Sequence, residues 1–197
     1  MNRYITLQTP HGSLHGQLYR PETPRGLILI ARAHHAAIDT IIAENLLPYG
    51  YATFTIELLT AQEVQFADAT QNVPRLTQRL IDILDMIRND GDMQELPLAI
   101  FATGDIAPAA IRAAAQRHTQ VKALVCHGGL IDRAGVQALD LLVAPLLMLF
   151  DADDLIGKTA YQRAAAHLGS VHEMQAMDMG EDPVSPAGTW FLRHFPG

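Results

Sequence analysis

The chain has 197 residues, 49% hydrophobic and 18% charged, which suits one full hydrophobic core and leaves little for a second. Its formal net charge of -7 argues against a nucleic-acid surface, which needs clustered Lys and Arg, and a single cysteine, Cys126, excludes an intramolecular disulfide. The lone thiol, an N-terminus (MNRYITLQTP) without the apolar stretch of a signal peptide, and apolar runs too short to span a bilayer predict a soluble cytoplasmic protein with one domain, residues 1–197, and no membrane contact.

In chain order, YITLQTPHGSLHGQLYRP alternates apolar and polar residues around a Gly-containing turn, the pattern of an antiparallel hairpin. RGLILIARA is short and continuously apolar, as expected of a strand covered on both faces. IDTIIAENLLPYG has helical spacing and stops at Pro48 and Gly50, and YATFTIELL is a second buried strand. The segment from Thr60 to Asn72 reads as a long polar loop placed to overhang a site. VPRLTQRLIDILDMIRND is the clearest helix: Leu76, Leu80, Ile83, Leu84 and Ile87 form one apolar stripe, with Arg75, Gln78, Arg79, Asp82 and Asp85 outside it. Next come strand LPLAIFA, a tight turn, helix APAAIRAAAQRH, strand VKALVC, a loop HGGLIDRAGVQALD and strand PLLMLF. A helix around KTAYQRAAAHLG, strand VHEMQAM and a last helix starting near Ser185-Pro186, with Ser185 as its cap, complete the chain. Trp190, Phe191 and Phe195 fall at helical spacing and are expected in the core.

Strands alternating with helices predict the α/β class: a mostly parallel sheet with an N-terminal antiparallel hairpin and helices on both faces. Ligands of such sheets bind beyond the carboxyl ends of the strands. The candidate residues are therefore those that follow strands: Arg32 to His35, Glu57, Thr103 to Asp105, His127 to Gly129, Asp151 to Asp154, and Glu181 with Asp182.

In this order GLILIARAHH, YATFTIELLTAQE, LPLAIFATG, VKALVCHGGLIDRAG and APLLMLFDADD resemble small bacterial members of the dienelactone hydrolase-like group of α/β-hydrolases, from about Gly26 to Phe195. The resemblance implies the α/β-hydrolase fold, with a G-x-S-x-G elbow that exposes a nucleophilic serine at the strand-to-helix turn. FATGDIA places Gly104 at the serine position and Ala102 and Ile106 at the flanking glycines. Glycine offers no hydroxyl for attack, and Ile106 predicts a relaxed or rebuilt turn. The family's histidine is expected after the last strand, where MDMGEDPVSP offers only Glu181 or Asp182. Its oxyanion-loop His-Gly corresponds to Arg32-Ala33 or, with a two-residue slip, to His34-His35, and its acid corresponds to Asp154. A retained acid without its base cannot activate a nucleophile, so Ser-His-Asp hydrolysis is not expected.

The remaining polar groups allow two readings. Asp105 is expected to cap the following helix, with an ester-forming nucleophile as the alternative. His34, His35 and His127 with Asp105 or an Asp of DADD could form a metal centre, but the spacing matches no metal motif and no cofactor is expected. Cys126 and His127, as strand neighbours, point to opposite faces, and Glu57 is expected to bond loop amides. The expected function is that of a catalytically degenerate α/β-hydrolase-fold protein binding a small molecule or a partner, with Arg32, His34, His35 and Thr103 toward the ligand. The alternative is a hydrolase of non-standard chemistry that uses Asp105, Asp154 and His127, or a His/Asp metal centre, on an ester-like substrate.

Overall fold

A computed structural model describes residues 1–34 and 37–195, without the side chains of residues 37–40. The elements are β1 (Asn2–Thr9), β2 (Gly12–Tyr19), β3 (Leu27–Arg32), α1 (Ala37–Leu46), β4 (Ala52–Glu57), α2 (Val73–Asn89), β5 (Leu98–Thr103), α3 (Ala107–Gln116), β6 (Val121–His127), α4 (Val136–Leu141), β7 (Leu146–Asp151), α5 (Leu155–Ala165), β8 (His172–Met177) and α6 (Val184–His194). The strands form one sheet in the order β1-β2-β4-β3-β5-β6-β7-β8. β1 and β2 form the antiparallel hairpin, β2 runs antiparallel to β4, and the rest pair in parallel.

Burial on both faces explains why the central strands are apolar throughout. The even residues of β4 and the odd residues of β3, Leu27, Leu29 and Ala31, pack with α2, α3, α4 and α5 in the larger core. Ile28, Ile30, Phe101, Val125 and Leu149 face the other way, onto Ile42 and Leu46 of α1 and Val184, Trp190 and Phe191 of α6. Trp190, Phe191 and Phe195 are buried as expected.

Four local expectations need correction. The segment after β6 is not a plain loop: it holds a 3-10 turn, Ile131–Ala134, and α4. Strands β5, β6 and β7 each continue one residue further, to Thr103, His127 and Asp151, so these candidates, like Arg32 and Glu57, are last strand residues with fixed facing. Helix α6 starts at Val184, with Pro183 rather than Ser185 at its cap position; the Asp182 carboxylate takes the Val184 N–H at 3.0 Å. Arg79, outside the stripe of α2 by periodicity, is 2% exposed.

Candidate active-site crevice

Strand alternation decides which candidates meet. Glu57 pairs in register with Arg32, and Thr103 with His127. Because Ala31 pairs with Ala102, Arg32 and Thr103 are the next residues of adjoining strands. Glu57, Arg32, Thr103 and His127 thus form one polar row on the α1 and α6 face, at the carboxyl ends of the parallel strands. Asp151, at the end of β7, is on the same face, and His127 Nε2 lies 3.1 Å from its Oδ1. Arg32 is half-buried, and burial lowers its guanidinium from the ordinary value. The Thr103 hydroxyl is buried with no hydrogen-bond partner among the described residues.

The strand-to-helix turn is sharp. Gly104 has φ +58°, in the left-handed region, and a Cβ built on it would have nothing within 4 Å. Ile106 does not relax the turn: its side chain is fully buried in the larger core, below the bend. Gly129, at φ +98°, seats the loop after β6 against this turn, since a Cβ there would run into the Gly104 carbonyl and the Ala107 side chain. A glycine serves at each place for a different reason, free conformation at Gly104 and close approach at Gly129.

Asp105 is exposed and caps no helix: neither the 3-10 turn Gly104–Ile106 nor α3 has a side-chain cap. Its Oδ2 accepts a hydrogen bond from Thr70 Oγ1 at 2.7 Å, so the loop between β4 and α2 does reach over the turn. Asp154 instead acts as a helix cap. Its Oδ1 takes the Gly157 N–H at 2.9 Å at the start of α5, and the carboxylate that meets His127 is Asp151. Glu181 and Asp182 bond backbone N–H groups, of Asp178 and Val184, and Asp182 also takes a bond from Asn45. Glu57 bonds no loop amide among the described residues.

His34 is exposed, and His35 lies outside the described residues. Among the described residues no three His, Cys, Asp or Glu side chains converge to hold a metal, so His34, His127 and the aspartates do not assemble the centre considered above. Cys126 is fully buried on the face opposite His127, and desolvation pushes its thiol far above the ordinary range.

The brace of the overhanging loop is a feature that sequence reasoning missed. Arg79 donates to the Leu58 carbonyl at 2.6 Å and to both oxygens of Glu63, at 2.6 and 2.7 Å. Glu63 also takes the Thr60 N–H, while Thr60 Oγ1 takes the Glu63 N–H. The signal was present in T-A-Q-E, a capping box ahead of the 3-10 turn Glu63–Gln65. The hydrogen bonds from Arg79, more than any other cause, hold the Glu63 carboxyl down at about 2.

No family model matches the chain. Two curated proteins of Mycobacterium tuberculosis strains, provisionally named phosphoribosyl transferases, are 31% identical over 196 residues, which is 92% of this chain and 44% of theirs. The chain thus spans less than half the length of these relatives. A dienelactone hydrolase from Anabaena variabilis superposes with a TM-score of 0.88 at 25% identity, covering 100% of this chain and 99% of that one. A cold-adapted esterase from an Arctic intertidal metagenomic library superposes with a TM-score of 0.77 at 12% identity, covering 99% and 94%.

Proposed function

We propose that this chain, which has the α/β-hydrolase fold of dienelactone hydrolase, has given up serine-type hydrolysis and binds a small organic molecule at the carboxyl ends of its strands. One observation carries the reading: the turn that presents a nucleophile in this fold holds Gly104, with the left-handed φ kept and open space where a side chain would project. The groups beside that space suit binding. The Thr103 hydroxyl is a donor without an acceptor among the described residues, Arg32 supplies a half-buried cation in the same row, and the His127–Asp151 pair holds an imidazole at the next strand end. A ligand with a carbonyl or carboxylate acceptor fits these groups.

The His127–Asp151 contact also supports a second reading, in which the Asp105 carboxylate displaces a halide or carboxylate from an alkyl carbon to form an ester, and an imidazole oriented by a carboxylate takes a proton from the water that cleaves that ester to an alcohol and free Asp105. The transferase name of the mycobacterial relatives is not carried over, because it describes proteins whose remaining length this chain does not match. We read residues 1–197 as one domain. The single buried thiol suits a reducing compartment, and on that ground we place the protein in the cytoplasm; the net charge of -7 speaks against nucleic acid as a partner. No helix among the described residues is long and apolar enough to cross a membrane.

Wild type and Asp105→Asn, assayed across a panel of acyl esters, lactones and haloalkanes, decide between the readings. The expected result is no turnover above the buffer rate by either protein, together with saturable shifts of the Thr103, Gly104 and His127 amides by an aryl carboxylate in an NMR titration. Turnover abolished by Asp105→Asn would establish the second reading. Turnover retained in that variant would overturn both.

A further inference from the structure

The same face of the sheet carries a cavity on the hairpin side of Glu57, and no residue of the Gly104 turn lines it. The hairpin strands and β4 make its floor and α1 one wall, and it encloses about 410 Å³, within the range of small-molecule sites. Tyr4 of β1 and Tyr19 of β2 line it and are 81% and 42% exposed, two aromatic faces left toward solvent. Glu44 of α1 and Glu57 of β4 also line it, and neither carboxylate bonds a described residue. No Lys or Arg is among the described residues lining the cavity; Arg32, the register partner of Glu57 on the neighbouring strand β3, is off the lining. The floor includes Thr53, a hydroxyl-bearing residue that is 1% exposed.

We propose that this cavity is a binding site for an organic ammonium ion with an aromatic or apolar body. A primary ammonium carries three donors and a full charge, which the two carboxylates and the Thr53 oxygen accept. The tyrosine rings present their negative faces to the cation or stack on the ligand's body. The same lining disfavours carboxylates, since its acidic side chains are Glu44 and Glu57 and its only basic one is the imidazole of His15. Desolvating Glu44 and Glu57 without a cation has a cost, so a neutral ligand of the same shape gains less. The site does not depend on whether the Gly104 turn supports catalysis, because no residue of that turn lines the cavity.

The test is an NMR titration of the whole chain with phenethylammonium, with 2-phenylethanol as neutral control and phenylacetate as anionic control. Phenethylammonium should shift amides of β1, β2, β4 and α1 saturably and, read at those amides, bind at least about fivefold more tightly than either control, whatever phenylacetate does at Thr103, Gly104 and His127. Glu44→Gln and Glu57→Gln should each weaken it by about threefold to fivefold, and Thr53→Val by about threefold, with the remaining amide spectrum unchanged. Both glutamates reach solvent, so their amides keep the fold, and the Glu44→Gln/Glu57→Gln double variant should abolish the preference over 2-phenylethanol. Equal binding of the three probes, no saturation by phenethylammonium, shifts confined to residues 102–105 and 127–129, or full affinity in the double variant would each overturn the assignment.

Discussion

Arg79 stands among the polar positions of α2 by periodicity, yet only 3% of its side chain is exposed, because the loop after β4 folds back over it. A buried guanidinium needs acceptors, and the Leu58 carbonyl with both Glu63 oxygens supplies them. Removing one partner leaves the other charge buried, so Arg79→Met should destabilise the fold by about 3 kcal/mol. Glu63 links this pair to pH. Its carboxyl titrates at about 2 in the folded protein against an ordinary 4.5, a depressed value, so its stabilisation is complete above pH 4.5 and lost as pH falls toward 2. Urea unfolding at pH 7 should therefore show Glu63→Gln less stable than wild type by roughly 3 kcal/mol, with the gap closing between pH 4.5 and 2. A gap that stays constant across that window would mean that the carboxylate charge is not what braces the loop. Periodicity could not reveal this pair, since it reports which side of a helix faces the core and not which loop later covers the other side.

At the scale of elements, β5, its turn and α3 are legible as a unit from LAIFATG followed by an Ala-rich run, and they form where expected. What the turn does with Ile106 was not legible. The sequence suggests that a large residue relaxes the bend, whereas the side chain enters the core below it and Gly104 keeps φ +58°. The two glycines here should respond unequally to substitution. Gly104→Ala meets open space, and its only cost is the left-handed backbone, about 1 kcal/mol. Gly129→Ala adds a collision with the Gly104 carbonyl and the Ala107 side chain to the same backbone cost, about 3 kcal/mol in all. Thermal unfolding of the two variants checks the order; equal losses would show that the loop after β6 does not bear on the turn. Asp105 illustrates the same limit from the polar side. An Asp at a helix start reads as a cap, but its acceptor is taken by Thr70, 35 residues earlier in the chain.

Across the whole molecule, Cys126 sits in a central strand with its side chain fully buried and its thiol displaced upward by desolvation. A disulfide reagent at pH 8 should therefore label it only through global opening, at the unfolding rate measured independently; labelling in seconds in the native state would mean that the larger core opens locally. The type and order of the strands and of every α-helix but α4, the mostly parallel sheet, the apolar strands and the α2 stripe were written in the sequence, because burial on one or two faces leaves a local period that any stretch carries by itself. That position 104 is glycine was equally plain. Only the tertiary structure decided which polar groups meet: His127 with Asp151 rather than Asp154, Thr70 with Asp105, and Arg79 with Glu63; it also set two tyrosines and two glutamates in the lining of one cavity. Those meetings depend on strand order, register and loop return, distances of tens of residues that no local period encodes.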